Sequence, residues 1–341
     1  MTPQTGEEGA LCAIQLVLSA DDFKTERRYR AAIERAVEVA LPGLEGARHR
    51  LLVFPENTGH FIPLLHAPRA ARYQPTLTRA MALLVATRPL RVARAMWDSR
   101  TLDIQRGLML DAMPAADALM RSVFSAVARQ TGAYVVAGSH LRAQADAVTN
   151  TSYTFAPDGR LLAATNKVNL VPGLEDHRPG GVGLARGQRE QLPVVETPFG
   201  RLSTLICYDG FCVPHTRDEP EFTPLGRYVD ELGARVIANP SANPWPWRGP
   251  WFHAQPGDRR TRDQQWCGEG LAGSMAGLRN VRYGVTAHLC ARILDLAFEG
   301  PSEILTRVER AAPDGQTSVG VLARASDHKR LDAVIARVPV A

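Results

Sequence analysis

A chain of 341 residues, 45% hydrophobic and 22% charged, holds enough apolar material for one large domain or two ordinary ones. Its five cysteines are odd in number and never spaced Cys-x-x-Cys, which excludes a disulfide scaffold, argues against a zinc site and makes a reduced, cytoplasmic setting the simplest expectation. The net charge is only +5, no apolar run approaches about eighteen residues, and the opening residues 1–8 are polar and acidic, so neither a membrane span nor a secretory leader is expected.

Residues 11–17 read as the first strand. Residues 24–39 place Tyr29, Ile33, Ala36 and Val37 at helical spacing, continued by Ala40, and Pro42-Gly43 is expected to stop that helix. Residues 50–55 form a second strand ending at Glu56. Between Pro68 and Arg106 eight arginines stand against two acids, Asp98 and Asp103, with Met81, Leu84, Leu90, Val92, Met96 and Trp97 interleaved. This reads as an inserted basic helical segment at about 64–115, a helical pair with its apolar side on the body and its arginines in water. A basic amphipathic surface for a membrane, an acidic partner or an anionic substrate is the competing reading and is not favoured. Nucleic acid has less support still, because no binding motif accompanies the charge.

A helix ends near Gln130, residues 133–138 are a strand, and residues 150–155 and 160–165 flank Pro157-Asp158-Gly159 as a hairpin whose second arm leads to Lys167. Residues 202–206 are an apolar run closing on Cys207, followed by the turn-forming Tyr208-Asp209-Gly210-Phe211. Residues 235–239 are a strand before Pro240-Ser241. A helix through 275–283 is expected to lead into a strand at 284–290, with further strands near 303–308 and 317–323. Strands alternate with helices but hairpins interrupt the alternation, so this is an α/β protein with mixed sheets.

Three strand-like runs thus end on Glu56, Lys167 and Cys207. A free cysteine thiol titrates near 8.5 and attacks as the thiolate. A neighbouring ammonium lowers that value and a carboxylate can take the proton, roles that suit Lys167 and Glu56. The lysine, with the backbone N–H of Tyr208, would also stabilise the oxyanion of a tetrahedral intermediate. Such a site needs no metal and no organic cofactor. Taken alone, Cys207 would read as a small buried hydrophobe. Cys12, Cys212, Cys267 and Cys290 are read as structural thiols, and His177 and His215 as surface groups.

Val53-Phe54-Pro55-Glu56, Asn166-Lys167-Val168-Asn169-Leu170-Val171-Pro172 and Leu205-Ile206-Cys207-Tyr208-Asp209 resemble, in order, the three signature blocks of the carbon–nitrogen hydrolase (nitrilase) superfamily, whose members use a Glu–Lys–Cys triad. Glu175 stands where many members carry a second glutamate that orients the lysine and the substrate. Gln15, Asn239-Pro240-Ser241, Arg279-Asn280 and Phe298-Glu299-Gly300-Pro301-Ser302 extend the likeness over nearly the whole chain. Gly210-Phe211-Cys212-Val213-Pro214 departs from the family's Phe-Pro-Glu-like element. Leu170-Val171-Pro172 with Glu175 also resembles the apolipoprotein N-acyltransferase branch, whose membrane helices have no counterpart here.

The resemblance implies a four-layer α-β-β-α sandwich with two mixed β-sheets, a single domain over 1–341, and a homodimer or higher homo-oligomer. It implies hydrolysis of a small-molecule amide or N-carbamoyl bond, other than a peptide bond, through a Cys207 thioester, with Glu56, Lys167 and Glu175 assisting. Tyr208-Asp209, where true nitrilases usually carry Trp-Glu, turns the expectation towards amides. The rival readings are an amide-forming acyltransferase using the same residues and a non-catalytic binding protein that keeps the fold. Ser241, Trp245 and Trp247, with Trp251, are candidates for the substrate pocket; a packed loop or a subunit contact explains the tryptophans equally well.

Overall fold

The computed structural model describes residues 7–308 and 318–340. Residues 1–6 of the polar opening and residue 317 of the expected strand lie outside the described residues. Six strands come first: β1 (Glu8–Ser19), β2 (His49–Phe54), β3 (Tyr134–Ala137), β4 (His140–Gln144), β5 (Ala147–Phe155) and β6 (Leu161–Asn166). They are followed by β7 (Val194–Thr197), β8 (Gly200–Thr204), β9 (Val236–Ser241), β10 (Tyr283–Ile293), β11 (Leu296–Phe298), β12 (Glu303–Val308), β13 (Ser318–Arg324) and β14 (Asp332–Pro339). The helices are α1 (Glu26–Leu44), α2 (Leu77–Thr87), α3 (Pro89–Asp98), α4 (Ile104–Thr131), α5 (Leu225–Glu231), α6 (Arg262–Glu269) and α7 (Leu271–Met275).

The first sheet is parallel through β1, β2 and β3, then antiparallel through β5, β4 and β6, with β14 closing back antiparallel on β1. The second is parallel through β8, β9 and β10 and antiparallel at β7, β12 and β13. The end of β1 pairs with β10, Leu16 opposite Leu289, and joins the two sheets.

Side-chain alternation along the strands explains the layers. Leu11 and Ala13 of β1, with Leu51 and Val53 of β2, meet Leu202, Val236, Ala238 and Val285 of the second sheet in one apolar cluster. The alternate residues Cys12, Ile14, Leu52 and Phe54 turn outwards onto Tyr29, Ile33 and Val37 of α1 and onto Phe124 of α4. On the far side, Ile237 of β9 packs on Leu225, Val229, Leu271 and Met275 of α5 and α7. Helices therefore flank two facing sheets, the α-β-β-α order.

Two boundaries differ from the sequence reading. Helix α1 runs through Pro42 to Leu44, because its last turn packs against β14, and the left-handed residue that ends it is Gly46. The helix expected at 275–283 lies earlier, as α6 and α7. Residues 279–281 instead point their backbone N–H groups at the Asp230 carboxylate, which satisfies them outside a helix. In the insertion, short helical turns at Ile62–His66 and Arg69–Tyr73 precede α2 and α3, which lie on α4.

Candidate active site

Glu56, Lys167 and Cys207 leave the ends of β2, β6 and β8, and the sheets bring all three ends to one place. Pro55 and Glu56 are held from below by the β3–β4 turn. Gly138 has φ +68, and a Cβ there would lie 2.1 Å from the Pro55 carbonyl oxygen, so this close approach admits only glycine. Lys167 is fixed by its own N–H, which donates to Asn150 O at 2.8 Å. Its Nζ lies 2.7 Å from Glu56 Oε1 and 2.7 Å from Glu175 Oε2, with the lysine only 1% exposed. Asn150 Nδ2 donates to both carboxylates, at 2.9 Å to Glu56 and 3.1 Å to Glu175. The Val171 N–H completes the set on Glu175 Oε2 at 2.9 Å.

Strand β8 ends at Thr204, three residues before the cysteine, and Cys207 opens a short helical turn, Cys207–Gly210. Its φ is +48, the left-handed region that side chains other than glycine rarely adopt. The turn is tied down on two sides. Asn239 Nδ2 donates to Leu205 O at 2.6 Å and Cys207 O at 3.2 Å, and the Ser241 hydroxyl bonds Asn239 O and Oδ1. Asp209 accepts the N–H groups of Val168, Asn169 and Ile206, so one carboxylate couples the lysine loop to the nucleophile turn. Burial pushes Asp209 up to about 7, against those N–H bonds and Lys167. Tyr208 occupies the second position of the turn, where a backbone N–H has no partner within the helix.

The electrostatics bear on the roles expected of Lys167 and Glu56. Burial by itself would lower Lys167, but Glu175 and Glu56 hold it well above its ordinary value. Its charge is thus shared between two carboxylates. Burial pushes the Cys207 thiol up, Glu56 adds to the rise, and Lys167 opposes it without prevailing. The net direction at Cys207 favours the thiol over the thiolate. Burial also raises Glu56, against Lys167, with the neighbouring Cys207 thiol lowering it by less. A carboxylate of raised basicity beside a protonated thiol is arranged to take its proton during attack.

Aromatic side chains form the wall beside the nucleophile. Cys207 clusters with Tyr208, Phe211, Trp247 and Trp266, and Trp245 packs on that cluster. The backbone N–H of Trp247 is anchored on Glu299 Oε1 at 2.6 Å. Inside the wall Arg262 is fully buried, its guanidinium carbon 4.3 Å from the ring centre of Trp251, 4.7 Å from Trp266 and 4.9 Å from Trp245. Its Nε donates to Asn243 Oδ1 at 2.9 Å, and burial lowers it to about 9. Asn243 follows Ala242, whose carbonyl receives the Cys207 thiol at 3.7 Å. A cavity of about 190 Å³ adjoins this wall, lined by His215, Thr216, Trp251, His253, Gln255 and Arg260.

Several placements depart from the sequence reading. His215 is buried, not a surface group; its ring stacks on Tyr208 at 3.9 Å, and among the described residues neither ring nitrogen has a protein partner. Ser241 is buried, and its hydroxyl bonds Asn239. Trp247 lies in the wall, and Trp245 caps Arg262 and stacks on Phe252. Cys267 is exposed, whereas Cys12 and Cys290 are buried. Asn150, Asp209 and Arg262 were not singled out from the sequence as site residues. Only Asp209 carried a signal, its place directly after Cys207-Tyr208.

Residues 49–217, which contain Glu56, Lys167, Glu175 and Cys207, match the family model of the carbon-nitrogen hydrolases. The chain belongs to the carbon–nitrogen hydrolase superfamily. Among curated proteins it is similar to omega-amidase NIT2 of Danio rerio, 31% identical over 124 residues, and of Homo sapiens, 29% identical over 122 residues. Each match covers 35% of this chain and 40% of the relative, so the chain spans about 40% of the length of the curated relatives it matches. Among solved structures, the amidase from Nesterenkonia sp. AN1 superimposes with a TM-score of 0.57 over 99% of this chain and 93% of that one, at 17% identity. A further structure of an amidase from Nesterenkonia sp. gives a TM-score of 0.58 at 18% identity over 98% and 91%. That amidase is of the nitrilase superfamily, and the likeness establishes the same α-β-β-α fold for this carbon–nitrogen hydrolase.

Proposed function

We propose that this carbon–nitrogen hydrolase cleaves an amide or N-carbamoyl bond, other than a peptide bond, in a small molecule through a thioester on Cys207. The observation that carries the reading is Lys167, buried and 2.7 Å from both Glu56 and Glu175, beside a thiol on a left-handed turn. Glu56 takes the thiol proton as sulfur bonds to the carbonyl carbon, giving a tetrahedral intermediate. Its oxyanion is met by the Lys167 ammonium and the Tyr208 N–H. As the carbon–nitrogen bond breaks, Glu56 returns the proton to the departing nitrogen, which leaves as ammonia or an amine. Glu56 then deprotonates water, which attacks the thioester, and the thiol is restored. Glu175 and Asn150 keep the lysine and Glu56 in register throughout. In support, a structure of the Nesterenkonia amidase carries the acetamide moiety of fluoroacetamide covalently on its active-site cysteine.

The test compares wild type with Cys207→Ala across simple aliphatic amides, N-carbamoyl amino acids and nitriles, with ammonia or amine release as the readout. Turnover of amides or carbamoyl compounds by wild type alone is the expected result. Equal turnover by both proteins would refute the mechanism, and no turnover of any substrate by a fully folded wild type would favour a non-catalytic binding protein. Repeating the assay with added amines separates hydrolysis from acyl transfer, since an amide product in place of the acid would reassign the second half-reaction.

A further inference from the structure

The net charge of the chain is concentrated in the insertion. Residues 68–111 hold eight arginines against Asp98, Asp103 and Asp111, a surplus of five, which equals the +5 of the whole molecule. The rest of the chain is balanced. Exposed apolar surface collects in the same segment. Among the described residues seven large apolar side chains are more than half exposed, and Tyr73, Leu90, Trp97, Leu102 and Ile104 are five of them.

Leu90 and Trp97, each 84% exposed, are seven residues apart on α3 and therefore share one face. Buried Val92 lies on the opposite side, towards α4, where Met96 would meet any side chain placed at Gly107. Leu102, 96% exposed, stands in the α3–α4 connection, and Ile104 opens α4. Arg91 and Arg94 flank the stripe with side chains 68% and 84% exposed; Arg91 is paired with Asp111 and Arg94 sits 3.6 Å from Asp98. Exposed apolar patches of this kind mark a surface that another phase or molecule covers.

We propose that the α3–α4 hairpin is a peripheral docking surface for an anionic lipid bilayer. Charge complementarity selects this occupant. A second copy of the chain would bring like charge against like charge. A nucleic acid would satisfy the arginines yet leave Leu90, Trp97 and Leu102 in water. A bilayer with anionic headgroups meets both needs: the arginines lie at headgroup level, and the leucines and tryptophan enter the boundary beneath. Among the described residues no helix is long and apolar enough to cross a membrane, so the contact is with the surface. The inference does not depend on the chemistry assigned to Cys207.

The test is co-sedimentation of the whole protein with large unilamellar vesicles of phosphatidylcholine, with and without 30% phosphatidylserine, at about 0.1 M and 0.5 M salt. Binding only to the phosphatidylserine vesicles, and its loss at high salt, is expected. Leu90→Ser/Trp97→Ser should lower partitioning at least tenfold, and each of Arg91→Gln and Arg94→Gln about fivefold. Unchanged melting temperatures would show the variants folded. No binding beyond that to phosphatidylcholine alone, or equal binding by the variants, overturns the proposal. It is also overturned, in favour of a self-association face, if wild type sediments as an oligomer that Leu90→Ser/Trp97→Ser dissociates while neither binds vesicles.

Discussion

At the scale of single residues, the proposed mechanism makes Cys207 and Glu56 a pair whose proton moves only when substrate is attacked, with the Lys167 charge divided between two carboxylates. This has a pH signature. The free thiol is raised, so its alkylation by iodoacetamide should be slow at pH 7 and accelerate only towards alkaline pH. Glu56 acts as its anion and is also raised, so kcat/KM should climb with pH through a value above that of an ordinary carboxylate. Rapid, pH-independent alkylation between pH 5 and 7 would instead reveal a preformed thiolate. Glu56→Gln should lower kcat by about 10²–10⁴-fold while leaving the fold intact. Asp209 has a different task, accepting three buried N–H groups from the two loops that meet beneath the site. Asp209→Ala should cost about 3 kcal/mol or more in denaturant unfolding, since each stranded buried donor is worth roughly 1–3 kcal/mol. A change below about 1 kcal/mol would contradict that role.

Among the elements, the ends of β2, β6 and β8 do the positioning, and their neighbours decide how rigidly. The β3–β4 turn touches Pro55 through Gly138, where both φ and the 2.1 Å approach forbid a side chain. Gly138→Ala should destabilise the protein by more than about 1 kcal/mol. It should also depress kcat more than it raises KM, because it displaces Glu56 and not the aromatic wall; equal kcat with a raised KM would contradict this. The strand ends were legible in the sequence because a short apolar run that stops on Glu56, or on Cys207 before a Gly-containing turn, is a local signal. Asn150 was not, since an asparagine in the Thr- and Ser-rich β5 looks like any polar strand residue until β6 folds back and aims it at two carboxylates. Arg262 and His215 were hidden for the opposite reason. Their segments are rich in proline and charge and carry no apolar pattern, whereas three tryptophans and Phe211 close over them. The end of α1 was misplaced because Pro42 resembles a stop, although tertiary packing on β14 carries the helix past it.

Over the whole molecule, two facing sheets supply a rigid frame, and the functional features sit at two separate places on it. The layered architecture was legible through the motif resemblance more than through periodicity, which gave mixed sheets but not their stacking. The basic insertion was legible as charge, yet the coincidence of that charge with exposed Leu90, Trp97 and Leu102 needed coordinates, because the same sequence suits a helix packed apolar side down. The proposed docking face is one basic, apolar side of an otherwise neutral body, whereas the candidate active site is buried elsewhere in the sandwich. Intact-protein mass spectrometry can catch the proposed thioester at that site. Wild-type protein, acid-quenched during turnover of a short amide, should carry one acyl group that maps to Cys207 and is released by hydroxylamine. An unmodified Cys207 together with a label on Cys212 or Cys267, or full hydrolysis by Cys207→Ala, would contradict the thioester mechanism.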